Sequence, residues 1–456
     1  MSYSYLNGKG GVKNVSLNIH DGEFVVLCGK SGCGKTTLTR IINGLAFHFY
    51  KGVYSGEACI DGKGISEIPS NEICLRVGSV FQDPRSQFFD KHVEGEVAFG
   101  CENIGLTLVE IRENTDMAIN ALSIEHLRSR KLLELSSGEK QKTAIASIYA
   151  MTPSIYVLDE PSSNLDQAAT EELAKILYQL KTDGKTIIVA EHRISYLMEL
   201  ADKFIHIKDG IIEEQFSPDE FSALSDEDIS ERGLRCRQKP ELNKGFTELH
   251  TANGGRLEIA NVNAAYKKPL FNDFCLSAER GDVVAISGSN GIGKTTLCRI
   301  ISGMKAPQNG EIRLDGKTLN KQRRLKHTFL VLNGSDNRSF TDTVLGEPLF
   351  RFERKEVQQK QSACEQLLIE LNLSHLSDRH PLTLSGGQKQ RLSIVTALMQ
   401  EKEVIILDEP TSGLDYENMI QVASAIKAAA SKDKIVLVVS HDVEFINCVA
   451  NKVYKI

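Results

Sequence analysis

The sequence predicts an α/β protein built from two copies of one domain, each with a mostly parallel sheet covered by helices. Continuous apolar runs rich in β-branched residues alternate with helical spacing, which is typical of strands that are buried on both faces. The same motifs also occur twice in the same order, and the later ones recur at a constant offset of 249 residues, as Asp159 and Asp408 do. A duplicated domain explains both observations.

The apolar runs place three core strands in each copy. They are Phe24–Cys28, Ile155–Leu158 and Thr186–Ala190 in the first and Val283–Ile286, Val404–Leu407 and Ile435–Val439 in the second. The stretch Val109–Leu135 has helical spacing instead, which predicts a helical insertion.

The domain boundaries follow from a loss of hydrophobic periodicity between the copies. We expect one domain over 1–217, a partly helical linker over 218–255 and a second domain over 256–456. The alternative is that the first half of the linker belongs to the C-terminal helices of the first domain.

Composition excludes several classes of protein. The chain of 456 residues has 41% hydrophobic and 25% charged residues, which is ordinary for a globular protein. A net charge of −6 disfavours a general nucleic-acid coat. The longest apolar runs last about five residues, whereas a membrane span needs about 20. Ten cysteines without a Cys-x-x-Cys pair argue against a zinc ribbon, an iron–sulfur site or a disulfide scaffold and fit a reducing cytosol.

A glycine-rich loop of the form G-x-x-x-x-G-K-T stands between a predicted strand and helix in each copy. Glycines let backbone N–H groups wrap phosphates at a helix N-terminus, and the lysine reaches the β- and γ-phosphates. The threonine after each lysine, Thr36 or Thr295, is expected to bind Mg²⁺. The predicted nucleotide-binding residues are Gly29, Ser31, Gly32, Gly34, Lys35, Thr36 and Thr37 in the first loop and Gly288, Asn290, Gly291, Gly293, Lys294, Thr295 and Thr296 in the second.

Two acidic residues end a core strand in each copy. Carboxylates at the carboxyl edge of a parallel sheet lie at the ligand crevice. Asp159 and Asp408 suit Mg²⁺, bound through water, and Glu160 and Glu409 suit a general base that polarises the attacking water. The alternative is a solvated Asp-Glu pair in a turn.

The segment Leu384–Gln388, Leu-Ser-Gly-Gly-Gln, resembles the signature of ATP-binding cassette (ABC) ATPases, and Leu135–Glu139, Leu-Ser-Ser-Gly-Glu, resembles a variant of it. The resemblance covers nearly all of the chain outside the linker. It implies two P-loop NTPase domains of the ABC type, each with an antiparallel β part and an inserted helical subdomain. It also implies that the cassettes pair within the chain, so that each signature contacts the nucleotide of the opposite cassette through Ser136 and Gly138 or Ser385 and Gly387.

Four further positions match the family near the γ-phosphate and the dimer interface. His192 and His441 follow strands and resemble the switch histidine, with a structural histidine as the alternative. Asp166 and Asp415 resemble the loop that crosses the interface, but a helix N-cap is a serious alternative, and both can hold.

Two further family positions occur in each copy, and the second of them differs between the copies. Tyr5 and Tyr266 resemble the aromatic residue that stacks on adenine, with a surface tyrosine as the alternative. Gln82 resembles the glutamine that touches Mg²⁺ and the attacking water, whereas its register-mate is Asn333. Because asparagine is one methylene shorter, its side-chain amide reaches less far towards the metal. Since Asn333 and the altered signature fall on the same composite site, we expect that site to be the slower one.

The residues around Gln82 indicate a narrower family. The segments 81–89 and 96–103 look like the ATPase components of energy-coupling factor (ECF) importers. This resemblance implies ATP with Mg²⁺, uptake of a vitamin or metal ion, a transmembrane scaffold and a substrate-capturing membrane subunit. It places the protein peripherally on the cytoplasmic face of the membrane and implies no nucleic-acid partner.

Two other functions are alternatives to this one. A soluble twin-cassette ATPase acting on ribosomes or DNA usually carries a long basic linker, a zinc or iron–sulfur module or coiled coils, and none is visible in this sequence. A nucleotide-binding regulator without turnover is disfavoured because both glutamates and both histidines are present.

Overall fold

A computed structural model describes residues 1–6, 10–236, 238, 240–243, 247–248, 256–265, 269–332 and 339–456. The chain divides into two compact units, Met1–Lys239 and Pro240–Ile456. Within the described ranges, no helix is both long and apolar enough to cross a membrane.

The first unit is built on a six-stranded sheet in its described residues, parallel except at one edge. Its strands are, in spatial order, Ile211–Phe216, Lys203–Lys208, Phe24–Cys28, Thr186–Ala190, Ile155–Asp159 and Val77–Val80. The two central strands are buried along their whole length, as expected when helices cover both faces. The predicted parallel sheet is therefore confirmed.

Helices cover this sheet, and smaller β elements flank it. The helices are Lys35–Ile42, Leu45–His48, Ser70–Arg76, Val93–Asn103, Leu108–Ala121, Ser137–Ala150, Gln167–Thr182, Pro218–Ser222 and Asp226–Glu231. An antiparallel sheet joins Gly11–Val12, Ser2–Tyr5 and Gly52–Ser55, and a hairpin joins Cys59–Ile60 and Lys63–Gly64. The predicted helical insertion, Val109–Leu135, contains the helix Leu108–Ala121 and two short 3-10 turns, Glu125–Leu127 and Leu132–Glu134. Thr107 and Glu110 cap that helix reciprocally.

The second unit repeats this plan. Its described six-stranded sheet is parallel throughout, with the order Thr247–Glu248, Lys452–Lys455, Val283–Ser287, Ile435–Val439, Val404–Asp408 and Thr328–Val331. Its antiparallel sheet comprises Pro269–Ala278, Leu257–Ala265, Asn309–Leu314 and Lys317–Thr318. The helices are Lys294–Ile301, Lys321–His327, Gly346–Leu349, Arg354–Glu370, Gly386–Met399, Tyr416–Ala430 and Val443–Val449.

The expected linker, 218–255, divides between the two units. Its first part forms two short helices, and Phe221, Ile229 and Leu234 are buried in the core of the first unit. The ring of Phe221 stacks on Phe204 with centroids 4.1 Å apart. The first unit thus extends beyond residue 217, which corrects that boundary in favour of the alternative, because these apolar side chains cover the end of the sheet.

The parallel strands bring the predicted site residues of each unit to one edge. In the first unit, Leu27 pairs with Ala190 and Ala190 with Asp159. Three neighbouring strands therefore end level with one another, and the glycine-rich loop, Glu160 and His192 follow directly. The second unit has the same register, with Ile286 and Asp408 both paired with Val439.

Candidate nucleotide sites

The first glycine-rich loop holds Lys35 at the start of a helix. The ammonium of Lys35 donates hydrogen bonds to the carbonyl oxygens of Gly29 at 2.8 Å and Lys30 at 3.1 Å. Gly34, the residue before the helix, has a φ of +118°, a conformation that side chains disfavour. A Cβ at Gly29 would collide with the carbonyl oxygen of Ile207. These glycines allow the loop to curl around its lysine.

The second loop holds its lysine in the same way. Lys294 donates to the carbonyl oxygens of Gly288 at 2.6 Å and Ser289 at 3.1 Å. Gly293 has a φ of +109° before the helix that begins at Lys294. The other predicted loop residues lie where the motif places them, in the turn before each helix or in its first turn: Ser31, Gly32, Thr36, Thr37, Asn290, Gly291, Thr295 and Thr296.

A hydroxyl faces a strand-end aspartate in each unit. Thr36 Oγ1 donates to Asp159 Oδ1 at 3.3 Å, and Thr295 Oγ1 donates to Asp408 Oδ2 at 2.7 Å. Burial, together with the adjacent glutamate, raises the pKa of Asp159 to about 6, and the same two causes outweigh the Thr295 hydrogen bond and raise that of Asp408 to about 6. A buried carboxylate beside a hydroxyl oxygen suits a hard divalent cation, so these residues fit Mg²⁺.

We expect that removing this buried charge stabilises the protein free of Mg²⁺ and nucleotide. The pKa of Asp159 is near 6 in the folded protein and 3.8 as the reference value. The free energy of unfolding therefore falls as pH rises from about 4 to about 6, because the folded state resists ionisation of this group. Asp159→Asn should raise the melting temperature at pH 8 by about 6–12 °C, since two pKa units correspond to about 3 kcal/mol and a unit of this size gains about 2–4 °C per kcal/mol. The gain should shrink as pH falls from 7 towards 5.

Thermal melts at pH 8 and at pH 5 check this expectation. Asp21→Asn, which changes an exposed carboxyl group, is the matched control. An Asp159→Asn protein that melts no higher than the wild type at pH 8 would contradict a penalty on this charge.

The two strand-end glutamates share an uncommon backbone. Glu160 and Glu409 have φ values of +46° and +50°, in the left-handed region. The N–H of each donates across the sheet edge at 2.8 Å, to the carbonyl oxygen of Ala190 in one unit and Val439 in the other. The same conformation in both copies indicates that it belongs to the site.

Side chains from separate segments contact Glu160. Gln82 Nε2 donates to Glu160 Oε2 at 2.6 Å, and His192 Nε2 lies 3.0 Å from Glu160 Oε1. The same histidine nitrogen is 3.3 Å from Lys35 Nζ. The structure thus brings together four residues that the sequence places far apart.

Glu409 has a different set of contacts. His441 Nδ1 lies 2.8 Å from Glu409 Oε1, and Ser440 Oγ donates to Glu409 Oε2 at 3.2 Å. Burial alone would raise the pKa of Glu409, but the charge and hydrogen bond of His441, with Lys294, hold it below its usual value. Gln390 Nε2 also donates to the Glu409 carbonyl oxygen at 3.1 Å.

Each signature begins a helix with a reciprocal cap. The N–H of Ser136 donates to Glu139 Oε2 at 2.7 Å, while that of Ser385 donates to Gln388 Oε1 at 3.0 Å. Glu139 therefore performs the capping role of Gln388, and Arg130 donates to its other oxygen at 2.9 Å. Gly138 and Gly387 lie in the first turns of these helices.

The profile of the ABC transporter family matches residues 12–163 and 271–412. The chain belongs to the ABC transporter family. Both matched ranges contain a glycine-rich loop, a signature and an Asp-Glu pair, so the chain is a tandem ABC ATPase.

Relatives of similar length support this membership. A Treponema denticola protein provisionally named an ABC transporter ATP-binding protein is 41% identical over 461 residues, which cover 99% of this chain and 93% of that protein. A Bacillus subtilis protein provisionally named HMP/thiamine import ATP-binding protein YkoD is 31% identical over 489 residues, covering 99% of this chain and 88% of its own.

Solved structures share the ABC fold at low identity. An RNase-L inhibitor is 23% identical with a TM-score of 0.65, over 99% of this chain and 87% of its own. A chain in a model of ribosome-bound archaeal Pelota and ABCE1 is 22% identical with a TM-score of 0.68, over 99% and 75%. At this identity the likeness shows the fold alone.

Several predicted ABC positions keep an open role. Tyr266 and Asn333 lie outside the described residues. Tyr5 is half-buried, and its hydroxyl accepts a hydrogen bond from Arg40 at 3.0 Å, so adenine stacking stays a prediction. Asp166 accepts from the N–H of Ala169 at 2.9 Å, which confirms the helix cap and leaves the interface role open.

Sequence reasoning missed three polar residues beside the predicted site: Glu191, Gln390 and Ser440. Each is close to a recognised motif, since two directly precede His192 and His441 and one follows a signature by two residues. Their position was the only available signal, because a buried polar partner cannot be told from an exposed one by residue type.

Proposed function

We propose that this ABC ATPase hydrolyses ATP with Mg²⁺ at two composite sites and that hydrolysis powers uptake of a vitamin or metal ion through a membrane partner. The observation that supports hydrolysis is the recurrence in both units of a loop lysine, a threonine–aspartate pair and a glutamate–histidine pair. Each composite site would be completed by the signature serine of the other cassette, Ser385 or Ser136.

The roles follow from the chemistry of the side chains. Thr36 with Asp159, and Thr295 with Asp408, would hold Mg²⁺, which neutralises phosphate charge when bound. Lys35 and Lys294 would bind the β- and γ-phosphates through their ammonium groups.

Proton handling falls to the glutamate–histidine pairs. Glu160 and Glu409 would orient the attacking water and accept its proton. His192 and His441 would contact the γ-phosphate, and Gln82 would link the first site to the membrane partner.

An open groove extends from Thr36, Gln82 and Asp159 of the proposed Mg²⁺ site to exposed aromatic residues, and this aromatic end supports a membrane partner for the first unit. The groove has a volume of about 560 Å³. Phe49 and Phe89 line it with 74% of each side chain exposed, and Phe89 stacks on Phe99 with centroids 4.8 Å apart. Clustered exposed aromatic side chains mark interaction sites, and an amphipathic segment of a membrane protein would cover them.

A groove of the second unit has the same character. Met304, Phe340 and Phe350 line it with 55%, 61% and 54% exposure. Paired grooves fit a scaffold protein that contacts both cassettes from the membrane. The import role in the name of the Bacillus relative, at 31% identity, also supports an importer, located peripherally on the cytoplasmic face.

We expect the tagged full chain, purified from its host in mild detergent, to bring down an integral membrane protein. Phe49→Asp combined with Phe89→Asp should reduce that capture at least ~10-fold, because charges replace the apolar contact. Tyr178→Asp, a change at a tyrosine that is 62% exposed on another helix, is the matched control.

Mass spectrometry of the captured proteins distinguishes the functions. Sedimentation with ribosomes and no membrane protein would reject the importer and favour the ribosomal alternative. Equal capture by the groove variant and the control would reject the groove as the docking surface.

A further inference from the structure

A buried carboxylate that no motif predicts stands next to the switch histidine of the first unit. Glu191 is 2% exposed. Its Oε1 accepts from the N–H groups of His192 at 2.8 Å and Arg193 at 3.2 Å. Its Oε2 accepts from the hydroxyls of Ser162 at 2.7 Å and Tyr196 at 3.0 Å. One side chain thereby joins the segment after Glu160 to the segment that carries His192.

The second unit makes the same connection from the other side of its histidine. Asp442 Oδ2 accepts from Thr411 Oγ1 at 2.9 Å, and Thr411 is the register-mate of Ser162. Asp442 directly follows His441, and Ser440 directly precedes this histidine. The N–H of Asp442 donates to Ser440 Oγ at 3.0 Å.

Each unit therefore has a buried carboxylate directly beside this histidine, at exchanged positions. The first has glutamate before the histidine and arginine after it, while the second has serine before and aspartate after. In both, the carboxylate accepts from the hydroxyl that stands two residues beyond the strand-end glutamate. A shared contact made from different positions indicates that the contact itself is needed.

We infer that Glu191 is a positioning residue for ATP hydrolysis, which fixes His192 against Glu160 by tying the backbone of the histidine to Ser162. Glu191 itself does not touch the reacting atoms. Removing it would leave three backbone N–H groups and two hydroxyls without their buried acceptor, and the histidine segment would lose its fixed distance to Glu160. The inference rests on the proposed roles of Glu160 and His192.

The test uses the full chain carrying Glu409→Gln, so that turnover reports on the first unit. In this background Glu191→Ala should lower kcat at least ~10-fold with less than about a twofold change in KM for ATP, as expected when a residue acts only in the chemical step. Glu191→Gln keeps the volume and one acceptor oxygen, so its kcat should lie between those of the background and Glu191→Ala. Glu199→Ala, at an exposed carboxylate of the same segment, is the control.

An exchange variant separates positioning from folding. Glu191→Ser with Arg193→Asp installs the arrangement of the second unit and should restore kcat to within about threefold of the background, whereas a general packing defect would not be repaired by moving the carboxylate. If Glu191→Ala does not fold, the Gln and exchange variants carry the same comparison.

The outcomes are distinguishable. Unchanged kcat in Glu191→Ala, or no recovery in an exchange variant that melts like the background, would overturn the inference. Adding Glu160→Gln to the same background tests the proposed site separately, because turnover that survives this change contradicts the role of Glu160 whatever Glu191 does.

Discussion

Replacing both Glu160 and Glu409 with glutamine should lower kcat at least ~10²-fold, the usual effect of losing a general base, while ATP still binds. Glutamine keeps the length and one oxygen of each side chain, so Gln82 and His441 lose little packing. The amide cannot accept the proton of the attacking water. The loop lysines and the threonine–aspartate pairs, which would hold ATP and Mg²⁺, are unchanged.

Steady-state phosphate release and ATP binding measured on the same preparation check this result. Glu113→Gln, at an exposed position of the helical insertion, is the control. Near-normal turnover in the double variant would contradict the assignment of both glutamates. Loss of ATP binding together with turnover would contradict the separation of binding from chemistry.

The single variants should differ, because the two sites are unequal. We expect Glu160→Gln to reduce ATPase activity at least about fivefold and Glu409→Gln less than about twofold, in the chain assembled with its membrane partner. The second site has Asn333 where the first has Gln82, and the asparagine side chain is one methylene shorter. Ser137 would also add a side chain to the signature that serves this second site, where Gly386 stands in the other.

The negative charge of Glu139 contributes little to the inequality of the sites, because Arg130 contacts this carboxylate at 2.9 Å and offsets its charge. Equal losses in the two single variants, or the opposite order, would show that the substitutions at Ser137 and Asn333 do not divide the labour.

The parts of the fold that the sequence predicted are those with local causes. The runs at Phe24–Cys28 and Ile435–Val439 are buried along their whole length, and such runs occur where both faces of a sheet are covered. Gly32 and Gly34, like Gly291 and Gly293, have positive φ values, which identifies these loop positions by residue type. Strand, loop and helix at fixed spacing then place Lys35 and Lys294.

The missed features depend on contacts across the chain. Residues 218–234 look like a charged linker, and only the fit of Phe221 against Phe204 shows that they finish the first core. Likewise, the sequence shows a histidine beside each site without showing which ring nitrogen faces the glutamate. It is Nε2 in His192 and Nδ1 in His441.

The left-handed backbone of the two strand-end glutamates has a consequence for how the protein can evolve. A non-glycine residue in this conformation costs of order 1 kcal/mol or more, and each glutamate also follows an aspartate with a raised pKa. Selection for stability alone would replace these residues with glycine, asparagine or neutral side chains. A lineage that has lost the need for turnover should therefore erode first at Glu160 and Glu409, and each lost glutamate would leave a more robust fold that binds nucleotide without consuming it.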